Sequence, residues 1–537
     1  MNRAMIVFLL FFGALVASPT ASEAQGPPSA ADRPDLQKKP SSDPRLKFFE
    51  EVFRIIERNH VSGPSVKNLM SGAIEGLRKE AGADLVEREG TPALRMAGKE
   101  LQLSITEDAK KSLREFSQVY DFLREGIPAE QEHGDLVYAA VEGMLTTLDP
   151  HSHLLRPETF GEFRTETRGE FSGLGIEITL REDKLMVVAP IEGTPAYRAG
   201  VRSRDEIIEI DGVSTRGMNL FESVRRMRGN RGTQVTLTIR RERSPAPLSF
   251  TLTREVIKIR SVRSNILEGD VGYIRIRSFL ETTGEDLRSA LRDLTDQEIN
   301  GLILDLRNNP GGLLHQAVEV ADAFLEKSSL IVFTRARRPD QNLKFIDRKR
   351  GPYEEIPLVV LVNSGSASAA EIVSGALQDL DRGLILGRRT FGKGSVQSII
   401  PLSDGSGLRL TTSHYYTPDG RDIHEKGLLP DILIPQPGDN AGEVLRERDL
   451  VTYHQRGVRP EDDADRPTRD PGQPLRPLLG SPEDHQLEIA RRLLAEHPTA
   501  DVSELFTYAN RELKLVGSTS QTLGASDLQA DDLGEER

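Results

Sequence analysis

Two short segments of the chain carry residue types and spacings that suit catalysis. Residues 387–397, "GRRTFGKGSVQ", place Lys393 between two glycines, and residues 363–371, "NSGSASAAE", carry three serines. The first segment resembles the phosphate-binding pattern Gly-x-x-x-x-Gly-Lys, but Gly394 stands where that pattern requires the hydroxyl of Ser or Thr to bind magnesium. Lys393 is therefore a candidate either for binding a phosphate or for activating one of the serines.

The residues after Lys393 argue against a bound phosphate. A phosphate-binding loop leads into a helix, because the free N–H groups at the helix N-terminus bind the anion. Here Leu408, Leu410 and Thr412 alternate along the chain after an Asp-Gly turn at residues 404–405, which predicts a strand and a hairpin. A nucleotide triphosphatase, whose magnesium-dependent nucleotide binding would be lost in Lys393→Ala, is the weaker interpretation.

The serine segment lies where a predicted buried strand passes into a predicted helix. A serine on such a turn presents its hydroxyl outward, and the N-terminus of the helix stabilises the negative charge that develops there. Lysine can act as the base if burial lowers its pKa, and a serine–lysine dyad is a known variant of the serine–histidine arrangement. The spacing does not choose among Ser364, Ser366 and Ser368, each of which would also serve as a helix cap.

The composition argues against several other functions. A net charge of −13 without any basic stripe disfavours nucleic-acid binding, and the absence of cysteine excludes thiol chemistry and disulfides. The ten histidines form no pair with the spacing of a zinc site. His151 and His153 could be ligands, but we interpret them as turn-capping residues. A chain of 537 residues is too long for one core and predicts about three or four domains.

Residues 1–24 predict a secretory signal. Arg3 precedes an apolar stretch at residues 4–17, and the small residues Ser22 and Ala24 suit cleavage before Gln25. The stretch is shorter than the roughly 20 residues that span a bilayer, so an uncleaved membrane anchor is the weaker alternative. We therefore expect an exported protein, in the periplasm of a Gram-negative cell. Residues 25–44, rich in Pro and Ser, predict a disordered linker.

Residues 45–166 predict a helical region with an internal repeat. The segment "LMSGAIEGL" aligns with "LVYAAVEGM", and six residues recur at an offset of 67 positions. They are Phe49, Val52, Leu69, Ala73, Glu75 and Gly76, which recur as Phe116, Val119, Leu136, Ala140, Glu142 and Gly143. The shared offset predicts a duplicated helical hairpin that packs or pairs rather than catalyses, and coincidence is the alternative for only two copies.

Residues 167–257 predict a small β-domain, because apolar and polar side chains alternate between Gly and Asp turns. The glycine-rich loop 173–176, the stretch "TPAYRAGVRSRDEIIEIDG" and a helix that begins near Asn219 resemble a PDZ domain. In that family the loop N–H groups bind the terminal carboxylate of a peptide, which adds as a strand to the sheet. The resemblance implies a peptide site formed by Gly173, Leu174, Gly175, Ile176 and Val224.

Residues 258–437 repeat a strand–turn–helix plan with strands that are apolar throughout. This pattern predicts an α/β core with a largely parallel sheet covered on both faces. Residues 438–537 contain a charged, Pro-rich linker, the amphipathic helix "DHQLEIARRLLAEH" and an acidic end. We interpret the helix as an accessory or partner-binding element and the acidic end as disordered.

Taken in order, the motifs resemble those of the C-terminal processing peptidases, the carboxyl-terminal or tail-specific proteases. Beside the PDZ-like region they are "LTTLDPHS", "GYIRIRSF", "LDLRNNPGGLL", "VNSGSASAAEIVSGALQD", "GRRTFGKGSVQ" and "LTTSHYYTPDGRDIHEKGLLPDI", within residues 141–435. The resemblance implies a multidomain α/β protein. It has a ClpP/crotonase-like α/β protease core, an inserted PDZ domain (an α+β partly open barrel), and helical N- and C-terminal regions.

The same resemblance assigns roles to single residues. It makes Ser368 the nucleophile and Lys393 the general base, with Gln397 orienting the lysine. The backbone N–H groups of Ala369 and of the turn Gly311-Gly312 are expected to form the oxyanion hole. No metal and no organic cofactor is implied.

The implied function is a serine endopeptidase that binds apolar C-terminal tails through its PDZ domain and cleaves exported or envelope proteins. No nucleic acid is expected as a partner, and a membrane is expected only through the signal peptide or membrane-associated substrates. An adaptor protein and a homo-oligomer remain open. The alternative is a catalytically silent PDZ scaffold, whose binding of protein C-termini would survive the loss of Ser368.

Overall fold

The computed structural model describes residues 14–16, 43–88, 90–127, 136–181, 183–242, 244–347, 351–434, 445–457 and 484–519. Within these ranges, one compact unit comprises residues 155–261 with 280–282, and the other comprises the remaining residues. No helix in the described ranges is both long enough and apolar enough to cross a membrane. Most of the predicted signal and linker, the charged linker at 459–477 and the end beyond residue 519 lie outside the described residues.

The N-terminal part of the larger unit consists of two helical hairpins with a small sheet between them. In chain order its elements are β1 (Ala14–Val16), α1 (Pro44–Asn59), α2 (Val66–Ala81), β2 (Asp84–Arg88), β3 (Thr91–Met96), β4 (Lys99–Gln102), α3 (Ala109–Gly126), α4 (Leu136–Leu145) and β5 (His153–Leu155). Helices α1, α2 and α3 each begin at a side chain that accepts a hydrogen bond from the first turn, namely Asp43, Ser65 and Asp108. Strands β2, β3 and β4 form an antiparallel sheet inside the region that the sequence predicts as helical.

The two hairpins pack on each other through repeated positions. The rings of Phe49 and Phe116 stack with their centroids 3.6 Å apart. Gly143 allows α2 and α4 to approach closely, because a Cβ there would lie 2.3 Å from the carbonyl oxygen of Gly72 and 3.0 Å from the Cα of Gly76. Residues that are 67 positions apart in the sequence therefore meet in space, which is the packing that the repeat predicts.

The smaller unit has the strand and helix order expected from the PDZ resemblance. In chain order its elements are α5 (Pro157–Thr167), β6 (Glu170–Gly173), β7 (Ile176–Arg181), β8 (Lys184–Pro190), α6 (Pro195–Arg198), β9 (Glu206–Ile210), β10 (Val213–Ser214), α7 (Leu220–Met227), β11 (Gln234–Arg240), β12 (Leu248–Thr253) and β13 (Glu255–Lys258). The main sheet has the strand order β12–β11–β9–β8–β7, with β10 beside β9, and β6 pairs with β13. Strand β7 ends the sheet and leaves an edge to which a peptide strand can add.

The α/β core of the larger unit continues the chain. Its elements are β14 (Val262–Leu267), β15 (Val271–Ile276), α8 (Thr283–Thr295), β16 (Gly301–Asp305), α9 (Leu314–Asp322), β17 (Leu330–Ala336), a 3-10 turn (Pro339–Gln341), β18 (Lys344–Ile346), β19 (Leu358–Val362), α10 (Ala369–Asp379), β20 (Leu384–Gly387), β21 (Ser395–Pro401), β22 (Gly407–Tyr416), β23 (Ile432–Leu433), α11 (Glu447–Arg456), α12 (His485–Glu496) and α13 (Val502–Thr519). One sheet has the order β14–β15–β16–β19–β20–β23 and is parallel from β15 onward. A second sheet has the order β1–β21–β22–β17–β18, in which β1 pairs in parallel with β21. The predicted, largely parallel sheet is confirmed.

Both faces of the parallel sheet are covered. Leu302 and Leu304 of β16 pack into the cluster that includes α8, α9 and α10, whereas Ile303 packs into a cluster with α12 and α13. Leu487 and Leu494 of α12 belong to this second cluster. The interpretation of α12 as an accessory or partner-binding helix is therefore wrong, because its apolar face covers strands that would otherwise be exposed to water.

A buried ion cluster joins α12 to the end of β16. The guanidinium of Arg307 donates to both carboxylate oxygens of Asp305 at 2.9 and 2.7 Å, and to both oxygens of Asp484 at 2.7 and 2.8 Å. All three side chains are fully buried. A buried arginine of this kind needs both partners, since the loss of one leaves charge uncompensated in the interior.

Replacement of Asp484 tests this connection. Asp484→Asn keeps a side-chain oxygen that can cap α12, but it removes one of the two negative charges around Arg307. We expect the core to lose about 3 kcal/mol of unfolding free energy, because a buried ion pair is broken on one side. The measurement is the urea concentration at the midpoint of unfolding, together with the rate of amide hydrogen exchange in α12.

The matched control is Asp340→Asn, since the Arg338–Asp340 pair is exposed and water screens the attraction between its charges. Equal stability of Asp484→Asn and the unmodified chain would contradict the assigned role of the cluster.

Candidate active site

Ser368 lies on a strained turn between β19 and α10. Its backbone has φ of 55° and ψ of −113°, a combination that non-glycine residues rarely adopt, and α10 begins at the next residue. The side chain is fully buried, and its hydroxyl has no hydrogen-bond partner among the described residues. This turn presents the hydroxyl at the N-terminus of a helix, where negative charge is stabilised.

The neighbouring serine Ser366 has a structural role. Its hydroxyl donates to the carbonyl oxygen of Leu306 at 2.8 Å and accepts from the N–H of Asn363 at 2.9 Å. The first bond ties the turn to the end of β16 and the second to the end of β19, and together they leave Ser366 with little capacity for chemistry. Ser368 thus differs from Ser366 in having a hydroxyl without a structural task.

Lys393 is fully buried in the loop that precedes β21. Burial, reinforced by the positive charge of Arg409, lowers the pKa of Lys393 to about 7. A lysine with this pKa can exist as the neutral amine near neutral pH, as the role of a general base requires. The strand and hairpin predicted after Lys393 are also confirmed, since β21 begins at Ser395 and pairs antiparallel with β22.

The amine of Lys393 contacts a histidine in this structure. Its Nζ lies 3.2 Å from Nδ1 of His151, whose Nε2 lies 2.6 Å from a carboxylate oxygen of Glu447. The prediction that His151 caps a turn is wrong. The turn is capped by Asp149, which accepts the backbone N–H of His151 at 2.8 Å and leaves the imidazole ring to reach Lys393.

Gln397 lies on β21, four residues after Lys393, and is fully buried. Its Nε2 donates to the hydroxyl of Ser395 at 3.0 Å. Its Oε1 has no hydrogen-bond partner among the described residues. Gln397 therefore keeps a free acceptor close to the loop of Lys393.

The sequence did not single out Glu371, which joins the serine turn to the lysine loop. Its buried carboxylate accepts the N–H of Ser368 at 2.8 Å, of Lys393 at 2.9 Å and of Gly392 at 2.8 Å, and it also accepts the hydroxyl of Thr390. Burial raises the pKa of Glu371 to about 7, and these four donors oppose the rise. The pattern Ser-x-x-Glu at a helix start is a capping-box signature and would have drawn attention to this residue.

Tyr415 forms a second link between the same two segments. Its buried hydroxyl donates to the carbonyl oxygen of Ser368 at 3.1 Å and also contacts that of Lys393. Tyr415 lies on β22 in "TTSHYYTPDG", where strand alternation marks it as inward-facing but does not show what it contacts. Two buried side chains thus hold the backbone of Ser368 beside that of Lys393.

The glycine turn proposed for the oxyanion hole lies after β16. A Cβ on Gly312 would lie 2.2 Å from the carbonyl oxygen of Phe279, and its φ is 145°, so only glycine fits. The N–H of Gly311 donates to Oδ1 of Asn309 at 2.9 Å and is therefore already used. Ala369 is buried in the first turn of α10, where backbone N–H groups are free to bind an anion.

The five residues expected to bind a peptide surround one groove of the smaller unit. The groove has a volume of about 120 Å³ and is lined by Phe171, Gly173, Leu174, Gly175, Ile176, Ile178, Val224, Met227 and Arg228. It lies between the edge strand β7 and α7, which carry Ile176 and Val224. The four further lining residues were not identified from the sequence.

Comparison with known proteins gives consistent matches. Residues 270–434 match peptidase family S41, and residues 186–241 match the PDZ domain. A carboxy-terminal-processing protease of Bartonella bacilliformis is 46% identical over 332 residues, which cover 61% of this chain and 76% of that protein. A carboxyl-terminal-processing protease of Synechocystis is 42% identical over 320 residues, or 58% of this chain and 74% of that protein. A photosystem II D1 C-terminal processing protease of known structure has a TM-score of 0.41 and 28% identity, covering 73% of this chain and 93% of that one.

Glu371→Gln tests the link between the two segments. Both carboxylate oxygens of Glu371 accept hydrogen bonds, whereas glutamine has one oxygen and one NH₂ group. In the variant the NH₂ group faces donors and cannot accept from them, so part of the link is lost. Because a small displacement of reacting groups is costly, we expect acylation of the active-site serine to slow about 10²-fold in a folded chain. The measurement is the rate of labelling by a fluorophosphonate, with circular dichroism to verify folding.

Ser374→Ala is the control variant for Glu371→Gln, because it removes one buried hydroxyl from the same helix without touching the serine turn. Unchanged labelling in Glu371→Gln would show that the link does not position the site.

Proposed function

Since the chain belongs to peptidase family S41 and is a carboxyl-terminal-processing serine protease with a PDZ domain, we propose that Ser368 and Lys393 form its catalytic dyad. Gln397 orients the lysine in this proposal. The domain limits that we propose are residues 167–257 for the PDZ domain and 258–437 for the protease core.

One observation carries the proposal. The carboxylate of Glu371 accepts the N–H of Ser368 and the N–H of Lys393 at 2.8 and 2.9 Å, so the two residues lie side by side although 25 positions separate them. Lys393 is buried with its pKa lowered to about 7, which suits a general base near neutral pH. A serine at a helix start beside such a lysine is the arrangement that a serine–lysine hydrolase requires.

The proposed reaction begins with proton transfer from the hydroxyl of Ser368 to the neutral amine of Lys393. The serine oxygen then attacks the carbonyl carbon of the peptide bond, and the ammonium of Lys393 returns the proton to the leaving amine. Water hydrolyses the acyl-enzyme with Lys393 again as the base. Because the amine must be neutral, activity is expected to rise with pH through about 7, where the ammonium loses its proton.

The negative oxygen of the tetrahedral intermediate requires hydrogen-bond donors. We assign this role to the N–H of Ala369 and to that of Gly312, with Gly311 as the alternative on the same turn. The N–H of Gly311 is bonded to Asn309, which favours Gly312. Each donor contributes about 3 kcal/mol to the transition state.

The groove of the PDZ domain is proposed to bind apolar C-terminal tails. Gly173, Leu174 and Gly175 precede strand β7, and the loop offers its N–H groups to a terminal carboxylate. Ile176 and Val224 line the groove with apolar surface for the last side chain. Binding at this groove would supply extended chain to the dyad.

The cellular setting is also part of the proposal. The apolar segment that follows Arg3 supports export, and with it substrates among exported or envelope proteins. We propose the Gram-negative periplasm as the site of action. An adaptor protein and assembly of several copies are compatible with these assignments.

Cleavage of an unfolded protein with an apolar C-terminus tests the nucleophile. The full chain is expected to cleave it, and Ser368→Ala is expected to lose at least about 10³-fold in kcat/KM because the attacking oxygen is gone. Ser366→Ala is the matched control, because that hydroxyl binds backbone groups instead. Cleavage by Ser368→Ala at the unmodified rate would exclude Ser368. Binding of the substrate by every variant without any cleavage would favour the silent scaffold.

Substitution of Val224 tests the peptide groove. Val224→Glu places a carboxylate in an apolar groove that is proposed to hold a peptide carboxylate. We expect at least about tenfold weaker binding of a labelled peptide with an apolar C-terminus, measured by fluorescence anisotropy. Val213→Glu is the control, since Val213 is exposed on β10 and does not line the groove. Equal affinity of both variants, or of an amidated peptide, would exclude this binding mode.

A further inference from the structure

A buried histidine–glutamate pair contacts the proposed general base. Nζ of Lys393 lies 3.2 Å from Nδ1 of His151, and Nε2 of His151 lies 2.6 Å from Oε1 of Glu447. The side chain of Glu447 is completely buried and that of His151 is 8 % exposed. The mechanism proposed above uses neither His151 nor Glu447.

The direction of the two hydrogen bonds follows from the chemistry of the groups. A carboxylate only accepts, so Nε2 of His151 carries the hydrogen and donates to Glu447. Nδ1 then has a lone pair and accepts from Lys393. Burial and the positive charge of Lys393 lower the pKa of His151 to about 4, which keeps the ring neutral. The negative charge of Glu447 thus favours the protonated form of Lys393, with the imidazole between them.

While Lys393 contacts His151, the two groups that it would contact in the proposed dyad have no hydrogen bond. The hydroxyl of Ser368 and Oε1 of Gln397 are both buried, and neither has a hydrogen-bond partner among the described residues. Leaving such groups unpaired costs free energy. In this structure Lys393 thus bonds to His151, and the two acceptors that the proposed dyad would use are left without a hydrogen bond.

Glu447 comes from a part of the chain beyond the residues that match the peptidase family. It is the first residue of α11, and its backbone N–H donates to the carbonyl oxygen of Phe391 in the lysine loop at 3.3 Å. Glu447 is the only buried residue of α11, and its second carboxylate oxygen has no hydrogen-bond partner in the described part of the chain. At this place α11 thus buries one side chain, and that side chain is incompletely satisfied.

We propose that His151 and Glu447 are positioning residues that hold Lys393 in a resting orientation, and that displacement of α11 releases the lysine toward Ser368 and Gln397. The inference rests on the proposed roles of Ser368 and Lys393. It makes α11 a regulatory element of the dyad, controlled by whatever binds or moves that helix.

The charged groups around Lys393 determine how the resting state depends on pH. Glu447 on α11, Asp149 beside His151 and Glu371 on α10 raise the pKa of Lys393, whereas Arg409 on β22 lowers it. His424 faces Glu447 from the segment after β22. Loss of the charge of Glu447 removes one group that favours the ammonium, so the lysine becomes neutral at a lower pH.

The test compares labelling of the full chain by a fluorophosphonate across mildly acidic to mildly alkaline pH. In Glu447→Gln the amide oxygen still accepts from His151, but the charge is gone. We expect labelling to be about tenfold faster on the alkaline plateau, as for the loss of one charge-assisted hydrogen bond. The midpoint of the pH profile should move down by about one unit. His151→Phe, which removes the acceptor of Lys393, is expected to accelerate labelling as well.

Asp449→Asn is the matched control, because it removes a carboxylate from the same helix and keeps an oxygen for the N–H of Arg446. It should leave the profile unchanged. Slower or unchanged labelling in Glu447→Gln and His151→Phe would overturn the resting role. A lower melting temperature of these variants, with the midpoint of the pH profile of labelling unshifted, would overturn it too. Equal labelling of Ser368→Ala, or none in any variant, would instead overturn the proposed dyad.

Discussion

The buried carboxylate of Glu371 is the interaction on which the arrangement of the site depends. The strained turn of Ser368 and the loop of Lys393 both leave backbone N–H groups in the interior, where water cannot reach them. Glu371 accepts three of these groups and one hydroxyl, so it satisfies both segments at once. The strain at Ser368 persists because the surrounding hydrogen bonds determine the conformation more strongly than local preference does.

The burial of Lys393, which lowers its pKa as a general base requires, also lowers the free energy of unfolding of the chain. Lys393 has a pKa of about 7 in the folded chain and an ordinary value of 10.5, so between these values the unfolded chain binds more protons than the folded one. Stability therefore rises with pH through this window, and below it the full cost of the buried ammonium remains. The apolar clusters on both faces of the parallel sheet must offset that cost.

The sequence predicts those features that depend on local pattern. Apolar strands predict a parallel, doubly covered sheet, and serines between strand and helix predict a turn there, although the spacing does not choose Ser368 among its neighbours. Contacts between distant segments leave no such pattern. His151 meets Lys393 across 242 positions and Arg307 meets Asp484 across 177, so neither contact could be found by spacing. Glu371 is the intermediate case, because its capping-box position is visible in the sequence whereas its bond to the N–H of Lys393 is not.

The C-terminal segments contact the two halves of the site by different means. Asp484, at the start of α12, binds Arg307 just before the turn of Gly311 and Gly312, and α12 itself is fixed by a broad apolar face on the sheet. Glu447 reaches the lysine through His151 from a helix with no other buried residue. Because displacement of a helix costs roughly what its buried contacts contribute, α12 belongs to the permanent core, whereas α11 is the element that we propose to move. The turn that we propose as the oxyanion hole is therefore fixed with the fold, while in our proposal the orientation of Lys393 changes separately.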